Sequence, residues 1–185
     1  MQTTQYLSQV INELKRTANL MVDGEAEKIV EAILNAKKIF VVGAGRSGFM
    51  GKSFAMRLMH MNLDVYVIGE TVTPNLEKDD LLIIGSGSGE TNSLLSMAAK
   101  AKGIGATVAL VTIFPESSIG KVADIAVKIS AQAKAETVSE LTTIQPMGSL
   151  FEQSLLLFYD SLILRFMERK ELDSSTMFTR HANLE

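Results

Sequence analysis

The chain of 185 residues contains no cysteine and no tryptophan, only three prolines and only two histidines, His60 and His181. Without cysteine it can form neither a disulfide nor a thiolate metal site, and two histidines cannot make a histidine-rich metal centre. Lysine and arginine are not clustered, and the formal net charge is −3. Because a nucleic-acid-binding surface needs a basic stripe, we expect no nucleic acid partner.

Long apolar segments are missing as well. The most apolar stretch, residues 150–167, contains Glu152, Asp160 and Arg165, and residues 1–20 mix charges with apolar positions. A membrane span needs about 18 or more apolar residues, and a signal peptide needs an uninterrupted apolar core. We therefore expect no membrane partner and no secretory leader, and we expect a soluble cytoplasmic protein.

Short apolar runs alternate along the chain with segments of helical periodicity. The predicted strands are 38–42, 65–68, 81–84, 107–111 and 125–129, and the predicted helices are 1–20, 25–36, 48–61, 91–102, 117–123 and 148–170. This alternation predicts a five-stranded parallel sheet covered on both faces, a three-layer α/β/α sandwich. We interpret residues 1–185 as a single domain, with N-terminal helices in 1–36 and a polar tail at 171–185.

Two glycine-rich segments follow the first and third predicted strands. They are Gly43-Ala-Gly-Arg-Ser-Gly48 and Ser86-Gly-Ser-Gly-Glu-Thr91. Each precedes a predicted helix, where unpaired N–H groups and a partial charge of about +0.5 favour an anion. Ligands of such sheets bind at the carboxyl ends of the strands, so the pair predicts a phosphate site. The alternative is that both segments are tight turns with serine or threonine caps. Because two such loops occur at matching positions of one sheet, this alternative is the weaker interpretation.

The first segment also matches the G-x-G-x-x-G pattern of dinucleotide-binding domains. Glu70, at the end of the second predicted strand, could then contact a ribose. However, 185 residues leave no room for the catalytic domain of a dehydrogenase, and a nicotinamide cofactor does not explain the second segment. A phosphate monoester uses that hydroxyl-rich segment better.

Glu152 lies one turn into the last predicted helix, in the sequence Ser149-Leu-Phe-Glu152. This S-x-x-E pattern is typical of a capping box, in which the glutamate side chain bonds to the Ser149 amide. The sequence alone favours that structural role. The alternative is a general base, which needs a carboxylate within hydrogen-bond reach of a substrate C–H group.

Three further residues have alternative roles. Arg46, inside the first glycine-rich segment, could contact phosphate or an enediolate oxygen, or it could be a solvated charge or an intersubunit ion pair. His60 lies near a predicted helix C-terminus, and we expect it to pack inside the domain or in a subunit interface. His181, close to the end of the chain, can be functional only if the tail docks, for example against a neighbouring subunit.

Three segments together, 42–48, 86–91 and 145–152 (Gln-Pro-Met-Gly-Ser-Leu-Phe-Glu), resemble the SIS (sugar isomerase) domain family. The ending Arg180-His-Ala-Asn-Leu-Glu185 is similar to the members that interconvert D-arabino-3-hexulose 6-phosphate and D-fructose 6-phosphate. The resemblance implies an α/β/α sandwich and a homotetramer. It also implies a place beside 3-hexulose-6-phosphate synthase in the ribulose monophosphate pathway. Because the isomerisation requires no redox cofactor and the sequence lacks cysteine and a histidine cluster, we expect no cofactor and no metal.

The resemblance further implies roles for individual residues. Glu152 would be the base and His181 would come from a neighbouring subunit, with Arg46 and His181 as our hypothesis for the oxyanion side. The implied phosphate-binding residues are Ser47, Ser86, Gly87, Ser88 and Thr91. The alternatives are a non-catalytic SIS sensor of sugar phosphates, which would need neither Glu152 nor an ordered His181, and a purely structural oligomer.

Overall fold

Five parallel strands form one sheet in the computed structural model, which describes residues 2–133, 142–173, 177–178 and 180–184. The strands are β1 Ile39–Gly43, β2 Val65–Val67, β3 Leu81–Gly85, β4 Thr107–Thr112 and β5 Ile125–Lys128. Their spatial order is β2-β1-β3-β4-β5. β3 is buried along its whole length, as expected for a strand that is covered on both faces.

In the described part of the chain, six helices surround the sheet. They are α1 Thr3–Ala18, α2 Asp23–Asn35, α3 Gly45–His60, α4 Asn92–Ile104, α5 Ser118–Val122 and α6 Ser149–Arg169. Alternate residues of the central strands enter two separate cores: Val41 and Ile83 pack with α2, α3 and α6, whereas Val42 and Ile84 pack with α4 and α5. The predicted three-layer sandwich is therefore confirmed. None of these helices, within the described residues, is long and apolar enough to cross a membrane.

α3 begins at Gly45, three residues before the predicted start of that helix. Glycine is a weak helix former, so the glycines at 45 and 48 predict a loop. In the structure, the missing side chain at Gly48 lets the first turn of α3 lie directly against the end of β1. A Cβ atom on Gly48 would come within 2.6 Å of the Gly43 carbonyl oxygen.

The chain leaves the ends of β1 and β3 in opposite directions. α3 covers one face of the sheet and leads to β2 on one side, whereas α4 covers the other face and leads to β4 on the other side. Gly43 and Gly85, the last residues of the two strands, are register partners. The two strand ends therefore form the topological switch point at which open α/β sheets bind ligands.

His181, near the end of the chain, packs against the far end of α3. The rings of His60 and His181 are stacked with their centres 5.6 Å apart, and His60 is only 5% exposed. Arg57 Nη1 lies 3.4 Å from His60 Nδ1. Burial, together with the positive charges of Arg57 and His181, lowers the pKa of His60 below its ordinary value.

This environment predicts how stability depends on pH. Because the folded-state pKa of His60 is depressed, the unfolded chain binds the proton more readily than the folded chain. The free energy of unfolding is therefore highest when the pH is well above 6.5, the unfolded-state pKa, and it decreases as the pH falls through that value towards the folded-state pKa. We expect the melting temperature to decline more steeply between about pH 7.5 and pH 5.5 in the wild-type protein than in His60→Phe. Calorimetric scans at several pH values measure both slopes, and equal slopes would contradict the prediction.

The close approach of α3 to β1 predicts a loss of stability in Gly48→Ala. The added Cβ would overlap the Gly43 carbonyl, so we expect the free energy of unfolding to fall by about 1–3 kcal/mol. Gly103→Ala in α4 is the matched control because no atom outside the local helix backbone and the two neighbouring residues lies within 4 Å of the added Cβ. That variant should be neutral or more stable by about 0.5–1 kcal/mol. Denaturant unfolding measures the stability of both variants. If the denaturant midpoint of Gly48→Ala equals that of Gly103→Ala, the prediction is wrong.

Candidate active site

A cavity of about 670 Å³ opens at the carboxyl ends of β1, β3 and β4. Its walls come from the segments that follow these three strands and from the first turn of α6. Six of the predicted site residues line it: Ser47, Ser86, Gly87, Ser88, Thr91 and Glu152. The sequence therefore identified residues from three distant segments that the fold brings to one cavity.

The segment 86–91 folds into a tight turn ahead of α4. Ser86 Oγ accepts a hydrogen bond from the Gly89 amide at 3.2 Å, and Gly89 has a φ of +63°. Thr91 is the N-cap residue of α4, but among the described residues its side chain makes no capping hydrogen bond. Its hydroxyl is therefore not occupied in capping, which argues against the interpretation of this segment as merely a capped turn.

The last residue of β4 and the residues that follow this strand donate hydrogen bonds to the turn. Gly87 O accepts hydrogen bonds from the Ile113 amide at 3.1 Å and from Thr112 Oγ1 at 3.2 Å. Glu90 Oε1 accepts from the Ser118 amide at 2.8 Å, and this contact lowers the pKa of Glu90. The carbonyl oxygen of Gly87 and the carboxylate of Glu90 thus tie the segment to the chain after β4, which stabilises its conformation beside the cavity.

The first glycine-rich segment contributes the first turn of α3. Ser47 lies in this turn, lines the cavity and is buried. The N-termini of α3 and α4 therefore flank the same space. Two helix N-termini with serine and threonine hydroxyls between them form an environment suited to an anion.

Glu152 is 3% exposed, and its Oε2 atom lies 3.0 Å from Arg46 Nε. The Arg46 side chain is 56% exposed, so the pair joins a buried carboxylate to a solvated guanidinium. Burial of an ionised carboxylate is unfavourable unless a partner compensates for the lost hydration. Arg46 therefore forms an ion pair within one chain, a role that was not among the alternatives considered from the sequence, and its partner Glu152 lines the cavity.

The predicted capping box is wrong. The N-cap residue of α6 is Gly148, Ser149 is the first helical residue, and the Ser149 amide donates to Pro146 O at 3.2 Å. Glu152 is consequently one position too far along the helix for the reciprocal bond, and its carboxylate lies at the cavity instead. The S-x-x-E pattern is a local signal, and it cannot register an arginine that is more than a hundred residues away.

His181 lies at the other end of α3. Its partner His60 follows Ser47 by thirteen residues, which is about 20 Å along the helix axis at ~1.5 Å per residue. Within one chain, His181 therefore packs far from the cavity. Its predicted contribution from a neighbouring subunit stays a prediction, as does the docking of residues 171–185.

Sequence reasoning missed the wall that follows β4. Ile113, Phe114, Glu116 and Ser117 line the cavity, and Phe151 packs against Gly87. The position of these residues directly after a buried strand was a usable signal because ligands bind at that edge of a parallel sheet.

Glu70, the acid of the dinucleotide alternative, pairs with Lys52 Nζ at 2.6 Å. Among the described residues, no three side chains of histidine, cysteine, aspartate or glutamate form a metal-binding group.

Comparison with known proteins identifies the family. Residues 32–157 match the model of the SIS domain. The chain is 55% identical to the 3-hexulose-6-phosphate isomerase of Bacillus subtilis over 185 residues, the full length of both. It is also 38% identical to that of Mycobacterium gastri over 182 residues, which cover 98% of this chain and 91% of the relative.

A solved structure agrees with this result. The crystal structure of a hypothetical protein from Methanococcus jannaschii, which infers a molecular function of 3-hexulose-6-phosphate isomerase, superposes with a TM-score of 0.85 at 36% identity. The match covers 98% of this chain and 99% of that one. The resemblance inferred from three short segments is thereby confirmed, and the chain belongs to the SIS domain family.

Proposed function

We propose that this chain is an enzyme that interconverts D-arabino-3-hexulose 6-phosphate and D-fructose 6-phosphate. The observation that carries the proposal is the buried carboxylate of Glu152 in a cavity flanked by two helix N-termini. Full-length relatives named 3-hexulose-6-phosphate isomerase support the choice of substrate. The substrate would then be the product of a 3-hexulose-6-phosphate synthase in the ribulose monophosphate pathway, and we expect both reactions in the cytoplasm.

The phosphate group would bind to the turn 86–91 and the first turn of α3. The hydroxyls of Ser86, Ser88 and Thr91 and the amide of Gly87 would donate to its oxygens, with Ser47 on the opposite side. The N-terminal ends of α3 and α4 add favourable partial charge at the same place. Binding at this remote group would hold the reacting carbons in a fixed position, which converts binding energy into orientation.

Glu152 would act as the base. It removes the proton from C2, the C2–H electrons form the C2–C3 double bond, and the C3 carbonyl becomes an enediolate oxygen. The O2 proton moves to O3, the carbonyl forms at C2, and Glu152 returns its proton to C3. Electrons are only redistributed within the sugar, so the reaction needs no redox cofactor. A positioned base contributes about 10²–10⁴-fold to the rate.

Arg46 and His181 would serve the oxygen side of this reaction. As the proton is transferred, negative charge moves from the Glu152 carboxylate to the enediolate oxygen. The guanidinium of Arg46, already 3.0 Å from the carboxylate, can stabilise charge at both ends of this movement. His181 would reach the cavity from a neighbouring subunit and assist the proton exchange between O2 and O3.

A homotetramer would provide that neighbouring subunit. Apolar side chains are exposed on the outer helices, including Leu7 and Ile11 of α1 and Leu157 and Leu164 of α6. Exposed apolar positions of this kind are typical of surfaces that become buried on assembly. An assembly in which the far end of α3 lies across such an interface would bring His181 to the cavity of a neighbouring subunit.

The role of Glu152 predicts the behaviour of Glu152→Gln. We expect turnover to fall by at least about 10²-fold because the amide cannot accept the C2 proton. The affinity for fructose 6-phosphate should change little since the phosphate contacts remain. Glu70→Gln, which changes a surface glutamate outside the cavity, is the matched control and should retain full activity. A coupled assay for fructose 6-phosphate and calorimetric binding give both values, and an active Glu152→Gln variant would refute the assignment.

The shared site predicts complementation between subunits. Glu152→Gln and His181→Ala should each be nearly inactive alone. After subunit exchange in an equal mixture, about a quarter of the cavities would combine an intact Glu152 with an intact His181 from the neighbour, and that share of activity should return. Activity that stays at the level of the separate variants, despite exchange shown by native mass spectrometry, would exclude an intersubunit His181.

A further inference from the structure

α1 contacts the rest of the domain along a single stripe. Val10, Glu13, Leu14 and Thr17 are the less exposed residues of this helix, and they follow the i, i+3, i+4, i+7 spacing of one helical face. Two of the four are polar. Thr17 Oγ1 donates to Ser130 O at 3.0 Å, so this face of α1 is fixed by hydrogen bonds as well as by packing.

Glu13 is the centre of these contacts. Its Oε2 atom accepts from Thr143 Oγ1 at 2.6 Å and from Gln145 Nε2 at 2.9 Å, and its Oε1 atom accepts from the Ile144 amide at 2.9 Å. Arg16, on the same face, donates to Thr142 O at 2.7 Å. Partial burial acts to raise the pKa of Glu13, but the three hydrogen bonds and Arg16 lower it overall. One carboxylate thus holds three consecutive residues.

The segment that Glu13 holds leads directly into the candidate active site. Thr143 Oγ1 also accepts from the Gln145 amide at 3.0 Å, which closes the turn, and Gln145 is buried. Only Pro146 and Met147 separate this turn from Gly148, which lines the cavity and begins α6. Met147 has a φ of +59°, a conformation that a non-glycine residue adopts only when its surroundings impose it.

We propose that Glu13 is a positioning residue for the reaction, and that it sets the entry of α6, and with it the carboxylate of Glu152, through its hydrogen bonds to residues 143–145. Glu13 itself has no contact with the substrate in this scheme. The inference rests on the proposed isomerase function because it concerns the placement of the proposed base. A displacement of about 1 Å in a reacting group can reduce a rate by up to about 10²-fold.

Glu13→Gln tests this role with little change in shape. The amide retains one acceptor oxygen but presents an NH₂ group to at least one of the three donors, so the turn 143–145 loses part of its support. We expect kcat to fall about tenfold or more, with KM and the dissociation constant for fructose 6-phosphate within about twofold of wild type. Glu31→Gln is the control because it removes the same charge and a 2.7 Å ion pair with Arg169, away from the cavity.

Calorimetry with fructose 6-phosphate separates positioning from a loss of folding. If Glu13→Gln binds one ligand per chain but turns over slowly, the positioning role is supported. If kcat falls only in proportion to the number of binding sites, the role is merely structural and the inference is wrong. A Glu13→Gln kcat within twofold of wild type also refutes it. A wild-type protein without turnover would instead refute the proposed function, and the inference would fall with it.

A second variant keeps the test decisive if Glu13→Gln folds poorly. Thr143→Val removes the donor that lies closest to Glu13 and the acceptor of the Gln145 amide, while nearly preserving shape. It should reproduce the loss of kcat at unchanged ligand stoichiometry. When both substitutions are combined, their effects on kcat should be clearly less than additive because both act through the same turn. Additive effects, or a fully active Thr143→Val, would contradict the inference.

Discussion

The backbones of Gly43, Gly48 and Gly85 meet where β1 and β3 end, and the cavity depends on this contact. A Cβ atom on Gly43 would lie 2.9 Å from the Gly48 amide and 3.0 Å from the Gly85 carbonyl oxygen, closer than side-chain carbons normally approach. Because Gly43 and Gly48 lack a side chain, the first turn of α3 lies directly on the strand ends, whereas a Cβ atom on Gly85 would meet Leu155 and Tyr159 of α6 at 3.0 Å. The N-termini of α3 and α4 can therefore flank one small space, and two separate loops become one anion-binding site.

The same contact determines the position of the charged pair. Arg46 lies in the turn of α3 that Gly48 brings against the sheet, so its guanidinium reaches the carboxylate of Glu152 on α6. A larger residue at Gly48 would move this turn outward, and the buried carboxylate would lose a compensating charge. Packing at the switch point and electrostatics at the proposed base are thus two consequences of one backbone approach.

The sequence predicted the layers, the five strands and most of the cavity because these features follow from local periodicity and from the rule that ligands bind at the strand ends. It did not predict contacts that join distant segments. The S-x-x-E pattern favoured a cap at Ser149, but the fold supplies Arg46 as a partner for Glu152. Glu13 carries no motif, and only the packing of α1 against residues 143–145 reveals its contacts. The helix α3 begins three residues before its predicted start for the same reason, because a tertiary contact outweighs the low helix propensity of glycine.

Binding and catalysis make different demands on this fold. A sensor of sugar phosphates needs the two glycine-rich turns, and a buried carboxylate beside them adds no contact to the phosphate. An isomerase needs that carboxylate, because proton transfer between neighbouring carbons requires a base close to both of them. Here Glu152 is 3% exposed, is paired with Arg46 and follows a segment that Glu13 holds with three hydrogen bonds. So much structure around an electrostatically unfavourable group is unnecessary for binding alone, and it favours the enzyme over the sensor.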